Sequence, residues 1–332
     1  MARFAINVVT YNSAASIDAC LTSVIQQSCR DLTLTVIDNG STDDTLARLA
    51  VWRERGTRVI ALGTNLYYAR AHNICIRETD SEYVLTLNPD VVIRPGYLSA
   101  VASAFELSPR IGSVNGKLLL LPSPPPDLVE TMLCSDDERL IDGAGLMMLK
   151  SRRPYLRGNR RRSADTCLHA EYIFGVDGAC AAYRRTMLED TAVEGEYFDE
   201  DFVMYREDVD LAWRAQLYGW DSYYAPDAVG YHVRGFHLGQ RRRSIPTYLK
   251  RQSVKNGWLL VIKNDTPRSL ARDSLSIAPY QLKILAGLLT VEQSSLPAVR
   301  DIWQLMPRIR KKRSLIQARR RRSEAEMRRW FE

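Results

Sequence analysis

The sequence predicts an α/β fold: a mostly parallel central sheet flanked by helices, followed by a C-terminal helical extension. Three observations carry this. In the first ninety residues short apolar runs alternate with amphipathic segments, the pattern of a parallel sheet covered on both faces. Acids stand where the apolar runs end, at Asp38 and Asp90, and such sheets bind ligands outside the carboxyl ends of their strands. From about residue 240 the strand pattern gives way to helical periodicity.

Taken in order, residues 4–9 are a short apolar run and read as a buried strand. Ser16 stands before a helix whose Ile17, Leu21, Val24 and Ile25 share one face. Residues 32–37 alternate apolar side chains with Thr, a second strand. Asn39-Gly40-Ser41-Thr42 is a turn, followed by a helix over 45–55, a strand over 57–62, a helix over 69–77 and a strand over 83–87. A helix is predicted over 96–107. Residues 121–170 hold Pro122, Pro124, Pro125 and Pro126 and a basic stretch over 152–162, and read as a variable insertion over the site. The regular pattern resumes at 181–187 and 211–217, and 223–224 and 229–232 read as separate short strand ends. Helices are predicted over 248–263, over 279–289 and in the tail.

A chain of 332 residues, 45% hydrophobic and 26% charged, suffices for one large domain and an appendage. Its charge is uneven. Residues 307–332 hold eleven Lys or Arg against three acids, a net +8, which leaves about −1 on the rest of a chain totalling +7. A near-neutral body argues against nucleic-acid binding. Six scattered cysteines without a CxxC pair predict buried thiols in a reducing compartment. Met1 leads straight into a strand pattern, so no signal peptide is expected. No apolar stretch approaches a bilayer span. The expected compartment is the cytoplasm.

Four motifs carry chemistry. VVTYNS (8–13) ends a strand in polar residues, either an ordinary turn or a main-chain grip on a nucleobase. In VIDNGSTDD (36–44), Asp38 either accepts from a base or ribose or forms an Asx turn. In LTLNPDVVI (85–93), Pro89 holds Asn88 extended and fixes the direction of Asp90. One carboxylate there can share Mg²⁺ or Mn²⁺ with two phosphates; the alternative is a plain turn. FDEDFVMYREDVDLAWR (198–214) has six acids in seventeen residues. Acids favour a helix N-terminus, yet six together are electrostatically costly, so one is expected to be a general base and Asp208 is the choice. In HVRGFH (232–237), His232 can ligate a metal as neutral imidazole and Arg234 can face phosphate.

With VVTYNS, VIDNGSTDDT, GTNLYYARAHN (63–73), LTLNPDVVI, GVDGACAAYRR (175–185), FDEDFVMYREDVDLAWR, GWDSYYAPDAVGYHVRG (219–235) and RQSVKNGWLLVIKN (251–264) in this order over about 260 residues, the chain resembles the inverting glycosyltransferases of family 2. More narrowly, it resembles their bacterial rhamnosyltransferase-like branch. The resemblance implies the Rossmann-like GT-A fold, with a catalytic domain over 1–240 and a helical extension with a basic tail over 241–332. It implies that Thr10, Asn12 and Asp38 contact the base and ribose, and that Asn65, Asp177 and Gly178 line the donor pocket. Asp90 takes the last position of the DxD motif and binds Mg²⁺ or Mn²⁺ with the diphosphate, His232 is a further metal or diphosphate contact, Asp208 is the base and Glu207 its helper. Asn88 replaces the first acid of DxD, which leaves one carboxylate fewer for the metal.

The implied reaction moves a sugar, L-rhamnose by resemblance, from a dTDP-, UDP- or GDP-sugar to a hydroxyl of a glycan or lipid-linked acceptor in cell-surface polysaccharide synthesis. The alternatives are a nucleotidyltransferase, which would want a basic Gly-rich loop that VVTYNSAAS lacks, and an inactive nucleotide-sugar binding protein of the same fold, which predicts loss of Asp90 or Asp208. The basic tail, ending in Trp330 and Phe331, is expected to hold the protein on an anionic membrane at the inner face of the plasma membrane, with a solvated helix or homo-oligomer contact as the other reading.

Overall fold

The computed structural model describes residues 2–123, 136–233 and 246–332. The first elements are β1 (Ala2–Thr10), α1 (Ile17–Ile25), β2 (Leu32–Asp38), α2 (Thr45–Glu54), β3 (Arg58–Ala61), α3 (Tyr67–Arg77), β4 (Ser81–Leu87), β5 (Val91–Ile93) and α4 (Tyr97–Glu106). There follow β6 (Ile111–Leu121), β7 (Ile141–Gly143), β8 (Leu146–Met148), β9 (Pro154–Leu156), β10 (Glu171–Ile173), β11 (Cys180–Arg184), α5 (Arg185–Thr191), α6 (Glu207–Leu217) and β12 (Asp221–Val233). The C-terminal helices are α7 (Thr247–Asn264), α8 (Pro267–Arg272), α9 (Ser274–Thr290), α10 (Pro297–Ala318) and α11 (Glu324–Arg328).

The central sheet runs β10-β12-β6-β11-β4-β1-β2-β3, with β5 on β12 and β7 on β6. Strands β3, β2, β1 and β4 are mutually parallel, as the alternating N-terminal pattern requires. Their ends are level: Thr10 pairs with Asp38, and Asp38 with Ala61. The next strand, β11, is antiparallel to β4, with Cys180 opposite Leu87. Reversal brings the amino end of β11 to the rim where the parallel strands finish, so residues 177–179 meet 88–90. The two strand ends predicted at 223–224 and 229–232 are one strand of 13 residues, β12, with a register shift between Tyr224 and Val229. Pro226 lies in that irregularity, where a missing N–H costs no ladder bond. The long strand carries His232 back to the rim opposite Val91.

Alternation along the strands builds two cores. Phe4, Ile6, Val8, Leu85 and Leu87 face Leu21, Val24, Val101 and Phe105. Val84, Ala181 and Tyr183 face Ile76, Phe198 and Leu211 on the other side. A third cluster joins Phe202 and Trp213 to Leu259, Leu260, Ile302, Ile309, Ile316 and Phe331, fastening the C-terminal helices to α6.

The basic tail behaves differently from its expectation. Among the described residues seven of its eleven cations pair with acids of the body: Arg308 with Glu196 and Asp201, Lys311 with Glu194, Lys312 with Glu196, Asp199 and Asp201, Arg319 and Arg321 with Asp190, and Arg322 and Arg329 with Asp221. Phe331 is buried beside Trp213, with the Arg152 guanidinium 4.1 Å above its ring. Much of the tail's charge is thus met by acids within the chain, and of the terminal aromatics Phe331 is core while Trp330, partly buried, packs against it. Among the described residues no single helix is long and apolar enough to cross a membrane.

Candidate active site

Asp38 closes β2 with its carboxylate turned into the following loop. Oδ2 accepts from the Gly40 and Ser41 N–H groups, each at 3.1 Å, while Oδ1 is buried without a partner. Gly40 has φ +81°, and a Cβ there would come within 2.8 Å of the Thr64 backbone. The Thr10 hydroxyl beside it is also buried and unpartnered. Orphaned buried polar atoms are uncommon and are satisfied by ligands or water. Asn12 and Asn65 serve the loops themselves. Asn12, at φ 51°, accepts from the Thr42 N–H at 2.8 Å, and Asn65 accepts from the Tyr67 N–H at 2.8 Å. Asn39 ties the two loops together, accepting from Leu66 N–H at 2.7 Å and donating to the Tyr67 carbonyl at 3.1 Å.

The next group of residues is Asn88, Asp90 and His232. Asn88 is locked by its backbone, donating to the Ala179 carbonyl at 2.9 Å and accepting from Val91 N–H at 3.1 Å. Asp90 holds the end of β12 through its carbonyl, which accepts from Val233 N–H at 2.9 Å. Its Oδ1 lies 3.3 Å from His232 Nε2, too poorly aligned to be a hydrogen bond. The other imidazole nitrogen is 2.7 Å from Asp142 Oδ2. Burial opposes charge on His232, but the hydrogen bond to Asp142 and the nearby Asp90 carboxylate outweigh it and raise its pKa to about 10. Asp142 sits fully buried in β7. Its one sequence signal is an acid inside the apolar run Leu140-Ile141-Asp142-Gly143, within the segment taken for a variable insertion.

Asp208 lies in the first turn of α6. Its Oδ2 accepts from Gly178 N–H at 3.1 Å and its Oδ1 from Val209 N–H at 2.7 Å. Burial and the neighbouring Asp177 push its pKa up to about 6. It lines a cavity of about 450 Å³ with Leu146, Tyr155, Tyr205 and Leu249. Glu207 is more deeply buried, and burial together with Asp208 holds its carboxyl well above the usual range. Gly178 is fixed by Tyr68, whose hydroxyl donates to its carbonyl at 2.7 Å, and Asp177 by Asn115, whose side chain accepts from its N–H at 2.6 Å.

The chain reaches Asp208 through a strained loop. Val203, Tyr205 and Arg206 all have φ between 62° and 71°, which is unfavourable for any L-residue and most so for a β-branched one. The C-terminal extension holds it there. Asn256 Nδ2 lies 2.7–2.8 Å from the carbonyls of Phe202, Met204 and Tyr205, and Lys255 Nζ 2.6 Å from that of Asp201. The six-acid cluster divides accordingly. Asp199 pairs with Lys263 and Lys312, Asp201 with Lys312, and Asp210 with Arg214 at 2.9 Å and Lys263 at 2.7 Å. The cost of crowded acids is therefore met mainly by cations from α7 and α10, not by catalytic use. Arg234 lies outside the described residues.

The profile of glycosyl transferase family 2 matches residues 5–115. The chain is 30% identical over 273 residues to N-acetylglucosaminyl-diphospho-decaprenol L-rhamnosyltransferase of Mycobacterium tuberculosis, covering 75% of this chain and 84% of the relative. The chain belongs to glycosyl transferase family 2. Its fold is that of the GT-A enzymes. S. aureus TarS 1–349, solved with UDP-GlcNAc, aligns with a TM-score of 0.57 at 18% identity over 96% of this chain and 87% of that one. GalNAc-T7, solved with UDP, GalNAc and Mn²⁺, aligns with a TM-score of 0.60 at 12% identity over 79% of this chain and 48% of that one.

As a family 2 glycosyltransferase the protein acts on nucleotide sugars. The rim of this family 2 sheet brings Thr10, Asp38, Asn88 and Asp90 to one edge, with Asp177, Gly178 and Asp208 arriving from the reversed β11 and α6. Among the described residues no three acids, histidines or cysteines form a metal cage. The donor set fits a divalent ion held jointly with a diphosphate: the Asp90 carboxylate leaves most coordination positions to phosphate and water, while His232, kept protonated by Asp142 and Asp90, suits a diphosphate contact rather than the metal ligand expected from sequence.

Proposed function

We propose that the protein transfers a sugar, with inversion, from a nucleotide-diphosphate sugar to a hydroxyl of a saccharide carried on a lipid diphosphate. The observation that carries this is Asp208: a carboxylate held by Gly178 N–H, with a pKa of about 6, lining an open cavity beside the Asn88–Asp90 rim. A base with a pKa near the working pH is suited to taking a hydroxyl proton as attack proceeds. The acceptor oxygen bonds to the anomeric carbon from the Asp208 side. The bond to the donor's diphosphate breaks on the opposite side, and Asp208 keeps the proton. Asp90 would hold a Mg²⁺ or Mn²⁺, which would supply charge for the departing diphosphate, and the protonated His232 would face the same phosphates. Thr10 and Asp38 receive the base and ribose, Asn12 and Asn65 shape their loops, and Glu207 stays protonated as a neutral neighbour.

L-Rhamnose is the proposed sugar, because the mycobacterial relative is named for it and for a diphospho-decaprenol acceptor. In this reading 1–240 performs the chemistry and 241–332 supports it. Membrane contact falls to α9 rather than to the tail, because Leu275, Leu282 and Leu289 are 91%, 64% and 64% exposed. Incubation with a panel of dTDP-, UDP- and GDP-sugars and a short-chain prenyl diphosphate N-acetylglucosamine acceptor tests this. The expected product carries the new sugar with inverted anomeric configuration by NMR. A retained configuration, or no reaction and no binding with any donor, contradicts the proposal.

A further inference from the structure

A second cavity, of about 470 Å³, opens between α7 and α9. It has a cationic side and an apolar side. Arg153, Arg206 and Lys283 supply the first, Val254, Trp258 and Ile284 are part of the second, and one acid, Glu292, lies on the lining 4.0 Å from Lys250. Most cations of this region are spoken for: the neighbouring Arg152 is paired with Asp265 and Asp273. Arg153, Arg206 and Lys283 form no ion pair among the described residues. Burial lowers the pKa of Arg206, and the Tyr280 hydroxyl beside it opposes that effect. Its guanidinium lies against Gly257, where a Cβ would meet Nη1 at 2.2 Å, so α7 carries a glycine at the point where the cation crosses it. Three cations against one acid, itself near Lys250, leave the cavity net positive, and an anion lowers the repulsion among them.

The cavity adjoins the one that Asp208 lines. Arg206 and Ser253 line both, and Asp208 lines the other. The apolar wall continues outward. On α9, Ile284 and Leu288 line the cavity, with Val291 just beyond the helix end, while Leu282, Leu285 and Leu289 are exposed on the outside. A helix apolar on both faces is unusual in a water-facing position.

We infer that this cavity binds the diphosphate of the acceptor and the first part of its apolar chain, with Arg153, Arg206 and Lys283 on the phosphates and Val254, Trp258 and Ile284 along the chain. The inference rests on the proposed lipid-diphosphate acceptor. It adds that the acceptor is gripped by its anchor, on the C-terminal extension, while its sugar hydroxyl reaches Asp208 past Arg206. Guanidinium groups suit phosphate through paired N–H donors. The anion required is attached to a hydrocarbon, since half of the wall has no other use.

Farnesyl diphosphate is the probe, and quenching of Trp258 fluorescence, isolated by comparison with Trp258→Phe, is the readout. It needs no turnover, so it stands apart from the assignment of Asp208 as base. Binding is expected in the full chain, weakened at least tenfold in the Arg153→Ala/Lys283→Ala double variant, whose side chains are exposed and outside the core. Farnesol and inorganic diphosphate, each carrying half of the recognised chemistry, are expected to bind at least tenfold more weakly. Nucleoside diphosphate affinity is expected to stay within twofold in the double variant. Sedimentation with phosphatidylglycerol vesicles separates acceptor from headgroup: the double variant is expected to bind vesicles as the parent does. The inference is overturned if farnesyl diphosphate does not bind, if nucleoside diphosphate displaces it competitively, if the double variant binds it unchanged, or if its loss merely parallels a loss of vesicle binding.

Discussion

At the scale of single residues, the site depends on where carboxylates are left short of partners. Asp208 receives two N–H bonds yet is held up to about 6 by burial and Asp177. Folding thus disfavours its charged form. A raised folded pKa means that the folded state keeps a proton which the unfolded chain has already lost, so this group's contribution to stability declines as pH rises from about 4 to 6 and is flat above. Asp208→Asn should therefore leave the melting temperature equal or higher while transfer falls by roughly 10²-fold or more, which thermal denaturation beside a transfer assay checks. Asp38, Asp90 and Asp208 were legible in the sequence because each breaks an apolar pattern at a strand end or opens a helix. Asp142 was not, because its motif lies in a segment without periodicity and its partner, His232, is ninety residues away. Asn39, Tyr68 and Asn115 were missed because neutral side chains that position a loop leave no mark in a single sequence.

Among the elements, the decisive one is the segment between the short turn at Glu200–Phe202 and α6. Three positive φ angles within four residues cannot be stable alone. Asn256 and Lys255 of α7 bind four consecutive or near-consecutive carbonyls and hold them. Both residues belong to RQSVKNGWLLVIKN, which the sequence marked by resemblance but to which it assigned no task. Asn256→Ala should cost about 1–3 kcal/mol through unsatisfied carbonyls and lower the single-turnover rate by at least about tenfold, since small misplacements of a base are expensive. Donor affinity should be unchanged, because the donor loops lie on β1, β2 and β4. Urea unfolding and donor titration separate the two effects.

For the molecule as a whole, the catalytic body and the extension are joined by charge as much as by apolar packing. Lys312 is 1% exposed by its side chain and meets Glu196, Asp199 and Asp201. Asp199 is buried, yet Lys263 and Lys312 overcome that burial and hold its carboxyl far below the usual range. A depressed folded pKa contributes stability that is complete above the unfolded value near 4 and is lost as pH falls below it. Urea unfolding should show this acid loss, and Lys312→Met should destabilise the protein by roughly 3–5 kcal/mol at neutral pH by leaving buried acids uncompensated. Deleting residues 307–332 should accordingly yield an unfolded or aggregated chain by circular dichroism, whereas a free membrane anchor could be removed without loss of fold. The parallel half of the sheet was visible in sequence because each strand there is a compact apolar run. The continuity of β12 was hidden by Pro226 and Asp227, and the tail's docking by the distance between its cations and their acids. The central claim, that Asp208 takes the proton of the attacking hydroxyl, is tested most directly by the pH dependence of kcat/KM for transfer in the parent protein and in Asp208→Asn. The account predicts a parent rate that rises with pH through about 6 and a variant that binds the donor within about threefold of the parent but transfers at least about 10²-fold more slowly at every pH; a variant that transfers within tenfold of the parent and keeps the same acid limb would contradict it.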